Sequence, residues 1–116
     1  NAALINSPKD FHKELGTLPK DVKLITENSK GPFDLILFFV DTQRQLKTEF
    51  ARLSKKLHKH GMLWIAWPKK ASGVATDLTE NVVRNIGLDA GLVDVKVCAI
   101  NEIWSGLKFV YRLADR

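Results

Sequence analysis

The chain has 116 residues, of which 45% are hydrophobic and 27% are charged, and its formal net charge is +5 at pH 7. These values indicate one soluble globular domain spanning residues 1–116. No apolar run approaches the roughly 20 residues that a membrane helix needs, and the one cysteine, Cys98, cannot form an internal disulfide. The sequence therefore argues against a membrane protein and a secreted disulfide scaffold, and it predicts a cytoplasmic location.

The first part of the chain predicts a strand, a capped helix and two further strands. Residues 3–6 form a short, largely apolar segment, and residues 7–10 (Ser-Pro-Lys-Asp) have the pattern of a capping box at the start of a short helix. Strands are then predicted at 22–25 and 34–40. The second of these is a continuous apolar run, which is typical of a strand covered on both faces, so we expect it near the centre of a sheet.

Two amphipathic helices are predicted in the middle of the chain. The first begins after Thr42, because apolar residues then recur at intervals of four, three and four, and Gly61 supplies a left-handed stop. A strand over 62–67 follows. The second helix has Asp77 as its cap and ends near Gly91.

The last part of the chain predicts two strands, over 93–100 and 107–113, joined by a loop of residues 101–106. Strands that alternate with helices imply parallel crossovers within one sheet. The predicted fold is therefore a three-layer α/β/α sandwich, with helices on both faces of a mostly parallel sheet and a C-terminal antiparallel hairpin.

Several stretches resemble known families. Residues 33–37 and 60–65 (Phe-Asp-Leu-Ile-Leu and His-Gly-Met-Leu-Trp-Ile), with their helices and the closing hairpin, resemble the second half of Rossmann-like S-adenosylmethionine-dependent methyltransferases. Residues 67–80, 91–100 and 104–108 resemble domain-of-unknown-function family 3052, small bacterial proteins without an assigned activity. The resemblance implies a Rossmann-like, methyltransferase-like domain in a bacterial protein.

The turn that would bind a methyl-donor cofactor departs from this pattern. Such methyltransferases place a glycine-rich turn after the first strand and an acidic residue after the second strand, which holds the ribose. Here the first turn, residues 6–10, has no glycine, and Pro8 lacks an amide donor. Glu27 is a weak candidate for the ribose acid. The sequence therefore leaves S-adenosylmethionine open as a cofactor without favouring it, and it leans away from an enzyme.

An anionic ligand is predicted at the carboxyl edge of the sheet, where open α/β sheets bind ligands. Lysine side chains and helix amino termini attract anions there, and an indole offers a stacking face. The candidate binding residues are Ser7, Lys69, Lys70, Ser72, Gly73 and Trp104. Alternatively, the serine and the glycine after the two lysines only shape a turn, and the lysines are only solvated.

The function predicted from these patterns is a non-catalytic binding or regulatory module with a crevice for a small anion or a nucleotide. Two alternatives stay open. One is an enzyme, either methyltransferase-like or acting on a phosphorylated small molecule, and the other is an interaction domain that forms a homodimer. The dispersed lysines and the lack of recognition motifs do not favour a nucleic-acid partner. No residue spacing predicts a metal site.

Overall fold

The computed structural model describes residues 2–6, 24–25 and 32–115. The strands are β1 (Ala2–Ile5), β2 (Leu24–Ile25), β3 (Phe33–Phe39), β4 (Leu57–Pro68), β5 (Leu92–Ala99) and β6 (Trp104–Tyr111). They form one mixed sheet in the order β2-β1-β3-β4-β6-β5. The first four strands are mutually parallel where they pair, and β6 runs antiparallel to both β4 and β5.

Two α-helices, α1 (Gln43–Lys55) and α2 (Glu80–Asp89), pack on the same face of this sheet. Their apolar side chains join those of the strands in one core, in which the rings of Phe50 and Phe109 meet edge to face at 5.2 Å. The predicted α/β class is thereby confirmed. The helix predicted from residues 7–10 onward, which would supply the third layer, lies outside the described residues. Neither described helix is long and apolar enough to cross a membrane.

Helix α1 begins as predicted but ends earlier. The hydroxyl oxygen of Thr42 accepts a hydrogen bond of 3.2 Å from the backbone N–H of Gln45, which caps the first turn. The predicted stop at Gly61 is wrong, because Leu57 already pairs with Phe33 in the sheet. Gly61 instead lies within β4, where a Cβ atom would stand 2.8 Å from a backbone oxygen of β3. The glycine thus permits a close approach of two strands rather than a left-handed turn.

Helix α2 is capped by a different residue from the one predicted. Thr79 is the cap, and its hydroxyl oxygen accepts a hydrogen bond of 3.3 Å from the N–H of Val82. Asp77 is not available for this role, because its carboxylate accepts a hydrogen bond of 2.8 Å from the N–H of Gln43. The predicted end of the helix is confirmed, since Gly91 follows α2 with a left-handed φ of 98°.

Helix α2 is tied to the sheet by Arg84. Its guanidinium donates hydrogen bonds of 2.8 Å to the carboxylates of Asp94 on β5 and Glu80 on α2. The bond to Asp94, followed by that to Glu80, raises the pKa of Arg84 above its ordinary value. The amino end of α2 is therefore held in a fixed position relative to the sheet.

Candidate functional site

The order of the strands changes direction between β1 and β3. From β1 the chain goes to β2 on one side, and it then returns to β3 on the other side. In open α/β sheets such a switch point leaves a crevice beyond the carboxyl ends of the two strands, and ligands bind there. In this protein the crevice lies between Asn6, which follows β1, and Asp41, which follows β3.

A cavity of about 230 Å³ occupies this crevice, and we call it the switch-point cavity. Its lining residues come from the ends of β1 and β3, from α1 and from β6: Asn6, Phe39, Val40, Asp41, Gln45 and Trp104. Pockets for drug-sized ligands measure about 300–1,000 Å³. The part of the crevice that the described residues enclose is therefore smaller than such a pocket.

Asn6 turns the chain sharply at the end of β1. Its φ of 55° is left-handed, a conformation that asparagine adopts more readily than most residues other than glycine. The absence of glycine from residues 6–10 leans against a cofactor site at this turn. The backbone of Asn6 shows that a left-handed residue is present at the end of the strand without any glycine.

Trp104 is held at the cavity by the turn that joins β5 to β6. The side-chain oxygen of Asn101 accepts hydrogen bonds of 2.9 Å from the N–H groups of Ile103 and Trp104, which makes this turn shorter than the predicted loop. The indole also meets the ring of Phe39 edge to face at 5.0 Å. Among the predicted site residues that the structure describes, Trp104 is therefore the one that lines the switch-point cavity.

Asp41 and Gln45 line the same cavity but were not among the predicted site residues. Asp41 is exposed, and it is the one charged residue among the lining residues that the structure describes, so this part of the crevice favours positive rather than negative groups. The sequence did carry a signal for Asp41, because an acid directly after a buried parallel strand lies at the carboxyl edge of the sheet. Gln45 lies one turn into α1 and carried no such signal.

The two predicted lysines lie in a neighbouring cavity of about 350 Å³, which we call the lysine cavity. It is bounded by the end of β4, the amino end of α2 and the start of β6, and its lining residues are Trp67, Pro68, Lys69, Lys70, Leu78, Thr79, Glu80 and Ser105. The structure thus brings the two lysines together. It places them beside the amino end of a helix, whereas Trp104 lines the adjacent cavity.

Ser72 and Gly73 use their polar groups within their own loop. The hydroxyl of Ser72 donates a hydrogen bond of 2.6 Å to the carbonyl of Lys69 and accepts one of 3.2 Å from the N–H of Val74. The N–H of Gly73 points to the carbonyl of Lys70 at 3.4 Å, and its φ of 77° is left-handed. Both residues therefore shape the turn that follows the lysines. Anion binding by this loop stays a prediction.

Ser7 and Glu27 lie outside the described residues. Within residues 2–6, 24–25 and 32–115, no three His, Cys, Asp or Glu side chains come close enough together to hold a metal ion.

Several similar solved structures contain S-adenosylmethionine (SAM) or S-adenosylhomocysteine (SAH). Magnesium protoporphyrin IX methyltransferase (ChlM) from Synechocystis PCC 6803, with bound SAH, matches with a TM-score of 0.59 and 13% identity over 77% of this chain and 51% of that one. The LepI complex with SAM matches with a TM-score of 0.54 and 12% identity over 96% of this chain and 36% of that one. A candidate methyltransferase from Thermoplasma acidophilum matches with a TM-score of 0.55 and 6% identity over 97% of this chain and 57% of that one.

This chain therefore has the fold found in SAM-dependent methyltransferases, and it spans between 36% and 57% of the length of these three proteins. No family model and no curated protein matches the sequence. The prediction of a non-catalytic binding or regulatory module is corrected by these neighbours, because structures that share the fold are methyltransferases and other proteins solved with SAM or SAH. The enzyme alternative agrees better with the fold.

Proposed function

We propose that this chain forms the cofactor-binding domain of a SAM-dependent enzyme of the methyltransferase class. The observation that carries the proposal is the switch-point cavity, which combines a carboxylate, two side-chain amides and an indole at the place where this kind of sheet binds ligands. The fold shared with ChlM and the other neighbours supports it. We also propose that the chain belongs to domain-of-unknown-function family 3052 and that residues 1–116 form a single domain.

The side chains of the switch-point cavity fit the chemistry of SAM. The cofactor has a positively charged sulfonium and amino group, a carboxylate, a ribose and a flat adenine ring. The carboxylate of Asp41 attracts the positive groups, and Asn6 and Gln45 each offer both hydrogen-bond donors and acceptors. The indole of Trp104 can contact either the adenine ring or a cation. When bound, SAM supplies an electrophilic methyl group.

The protein's own contribution is to hold the cofactor and to limit its exposure to water. Phe39 and Val40 are buried and form the apolar floor of the cavity, while Asp41 remains exposed at its rim. Because the carboxylate of Asp41 is exposed, water solvates its charge when the cavity is empty. The same charge stabilises a cation that binds beside it. This arrangement selects a ligand with a positive group over an anion.

The lysine cavity fits the second substrate, which would accept the methyl group. It lies along the same edge of the sheet, and the N–H of Lys69 donates a hydrogen bond of 2.7 Å to the carbonyl of Ile103, next to Trp104. We assign Lys69 and Lys70 to a phosphate or carboxylate of that acceptor, with Ser72 and Gly73 shaping the loop that presents them. The anion predicted from the sequence is then the acceptor rather than the cofactor.

Equilibrium dialysis with radiolabelled SAM tests this proposal. We expect saturable binding, with SAH as a competitor, at concentrations between about 1 μM and 1 mM, the usual range of Michaelis constants. Binding that is absent at about 1 mM would remove the proposal. Binding of SAM that is not displaced by SAH would remove the assignment to the methyltransferase class.

A further inference from the structure

A second group of cationic side chains lies at the opposite end of the sheet from the switch point. They border a cavity of about 230 Å³ near the beginning of β4, which we call the amino-edge cavity. Its lining residues are Lys59, His60, Gly61, Met62, Lys108 and Val110. None of these residues lines the switch-point cavity or the lysine cavity.

A third lysine adds to the positive charge of this cavity. Lys96 on β5 is the direct partner of Lys108 on β6 in the antiparallel register, so the two side chains project from the same face. Like charges in this arrangement destabilise a sheet. Within the described part of the chain, none of Lys59, Lys96 and Lys108 takes part in an ion pair. Asp34 on β3 stands opposite the segment of β4 that contains Lys59 and His60, but it does not line the cavity.

A bulge in β4 presents Lys59 and His60 to the cavity. Between the pairs Phe33–Leu57 and Leu35–Met62, residues 58–61 of β4 stand opposite one residue of β3. Two contacts fix this bulge. The N–H of His60 donates a hydrogen bond of 3.1 Å to Nδ1 of His58, and Gly61 lies against the β3 backbone, where a Cβ atom would be 2.8 Å from a carbonyl oxygen. Bulges re-aim side chains, and here Lys59 and His60 reach the cavity.

We propose that the amino-edge cavity binds the phosphate group of a small molecule. A phosphate placed among Lys59, His60 and Lys108 would accept charge-assisted hydrogen bonds from the two lysines and a further hydrogen bond from the His60 ring, so that it would be held by both neighbouring strands, β4 and β6. It would also offset the repulsion between Lys96 and Lys108. This site is independent of the proposed SAM site, because the two cavities share no residue.

Thermal unfolding and calorimetric titration with inorganic phosphate and with glycerol phosphate test the proposal. Millimolar concentrations are compared with sodium chloride of equal ionic strength. We expect either phosphate compound to raise the unfolding midpoint of the native protein. Tighter binding of glycerol phosphate would indicate a phosphorylated metabolite, and equal binding would indicate free phosphate, so both results support the site.

The variant Lys108→Gln distinguishes phosphate binding at this cavity from a general stabilisation by salt. In sodium chloride its midpoint should lie above that of the native protein, because the repulsion from Lys96 is gone. The substitutions Lys108→Gln and Lys59→Gln should each lower the affinity for phosphate about tenfold, because both lysines line the cavity. The control Lys47→Gln should keep the native affinity, because Lys47 lies on α1 and does not line this cavity. No response of the native protein, or an equal response of all four proteins, would overturn the proposal, since excluded salts stabilise any folded protein alike.

Discussion

The hydroxyl of Thr76 donates a hydrogen bond of 2.6 Å to the backbone carbonyl of Asp41. This bond joins the loop after β4 to the end of β3. Next to it, the side-chain amide of Gln43 donates a hydrogen bond of 2.9 Å to the carbonyl of Asp77, in addition to the bond between the Gln43 N–H and the Asp77 carboxylate. The loops that border the switch-point cavity and the lysine cavity are therefore fixed to each other.

We expect Thr76→Val to lower the free energy of unfolding by about 1–2 kcal/mol. The substitution removes the bond to Asp41 and also the hydroxyl oxygen that accepts a hydrogen bond of 3.1 Å from the N–H of Leu78. Urea denaturation measures the change. Thr48→Val is the matched control, because the Thr48 hydroxyl bonds only to the carbonyl of Arg44 within the exposed part of α1. Equal effects of the two substitutions would contradict the linking role of Thr76.

We expect Asp41→Asn to weaken the binding of SAM about tenfold, which corresponds to one lost charge interaction. The free energy of unfolding should hardly change, because the bond from Thr76 goes to the backbone of Asp41 and the side chain is exposed. Asp89→Asn, at the far end of α2, should leave binding unchanged. If both variants bind SAM as the native protein does, Asp41 does not contact the cofactor.

We expect Gly87→Ala to destabilise the protein by about 1–3 kcal/mol, although alanine is the better helix former. A Cβ atom at Gly87 would lie 2.0 Å from a ring carbon of Phe109, and that ring is fully buried against Phe50. Asn85→Ala, on the exposed side of α2, should instead be neutral or slightly stabilising. A melting temperature of Gly87→Ala at or above that of the native protein would show that α2 is not packed this closely on β6.

Tyr111 should make the stability depend on pH in the alkaline range. Its hydroxyl donates a hydrogen bond to the carbonyl of Ser54, and burial, with a smaller effect of Asp115, raises the pKa of Tyr111 above its ordinary value of 10.0. The folded protein thus holds the phenolic proton more tightly than the unfolded chain does. The stabilisation is complete below pH 10.0 and is lost as the pH rises through the higher folded value.

Tyr111→Phe isolates this contribution. At pH 7 we expect the substitution to lower the free energy of unfolding by about 1 kcal/mol, since one half-buried hydrogen bond is lost. Between pH 7 and about pH 11 the difference between the two proteins should shrink, because only the native protein loses this bond. The two proteins differ only in this hydroxyl, so a difference that stays constant over this range would contradict the role of Tyr111.

Much of the fold could be predicted because its signals are local. The cap at Thr42, the central apolar strand and the left-handed Gly91 depend on neighbouring residues, and the structure contains all three. Gly61 shows the limit of such signals. A glycine after an amphipathic run can end a helix or can let two strands approach, and the sequence does not reveal that β3 lies against it.

The candidate site could be predicted only in part, for a related reason. The alternation of strands and helices predicts that ligands bind at the carboxyl edge of the sheet and that Trp104 lies there. Which of the edge residues share a cavity depends on the order of the strands in the sheet. That order places Asp41 beside Asn6 and puts the lysines in the adjacent cavity. The prediction of Asp77 as a helix cap is wrong for the same reason. Its carboxylate binds the N–H of Gln43, which is distant in sequence.

Backbone NMR of the labelled protein, titrated with SAH, is the most direct test of the proposed cofactor site. We expect the largest chemical-shift changes at Asn6, Asp41, Gln45 and Trp104, which line the switch-point cavity. Residues around the amino-edge cavity, such as Lys59 and Lys108, should not respond. Shifts that do not change with SAH, or changes centred on the amino edge of the sheet, would contradict a cofactor site at the switch point.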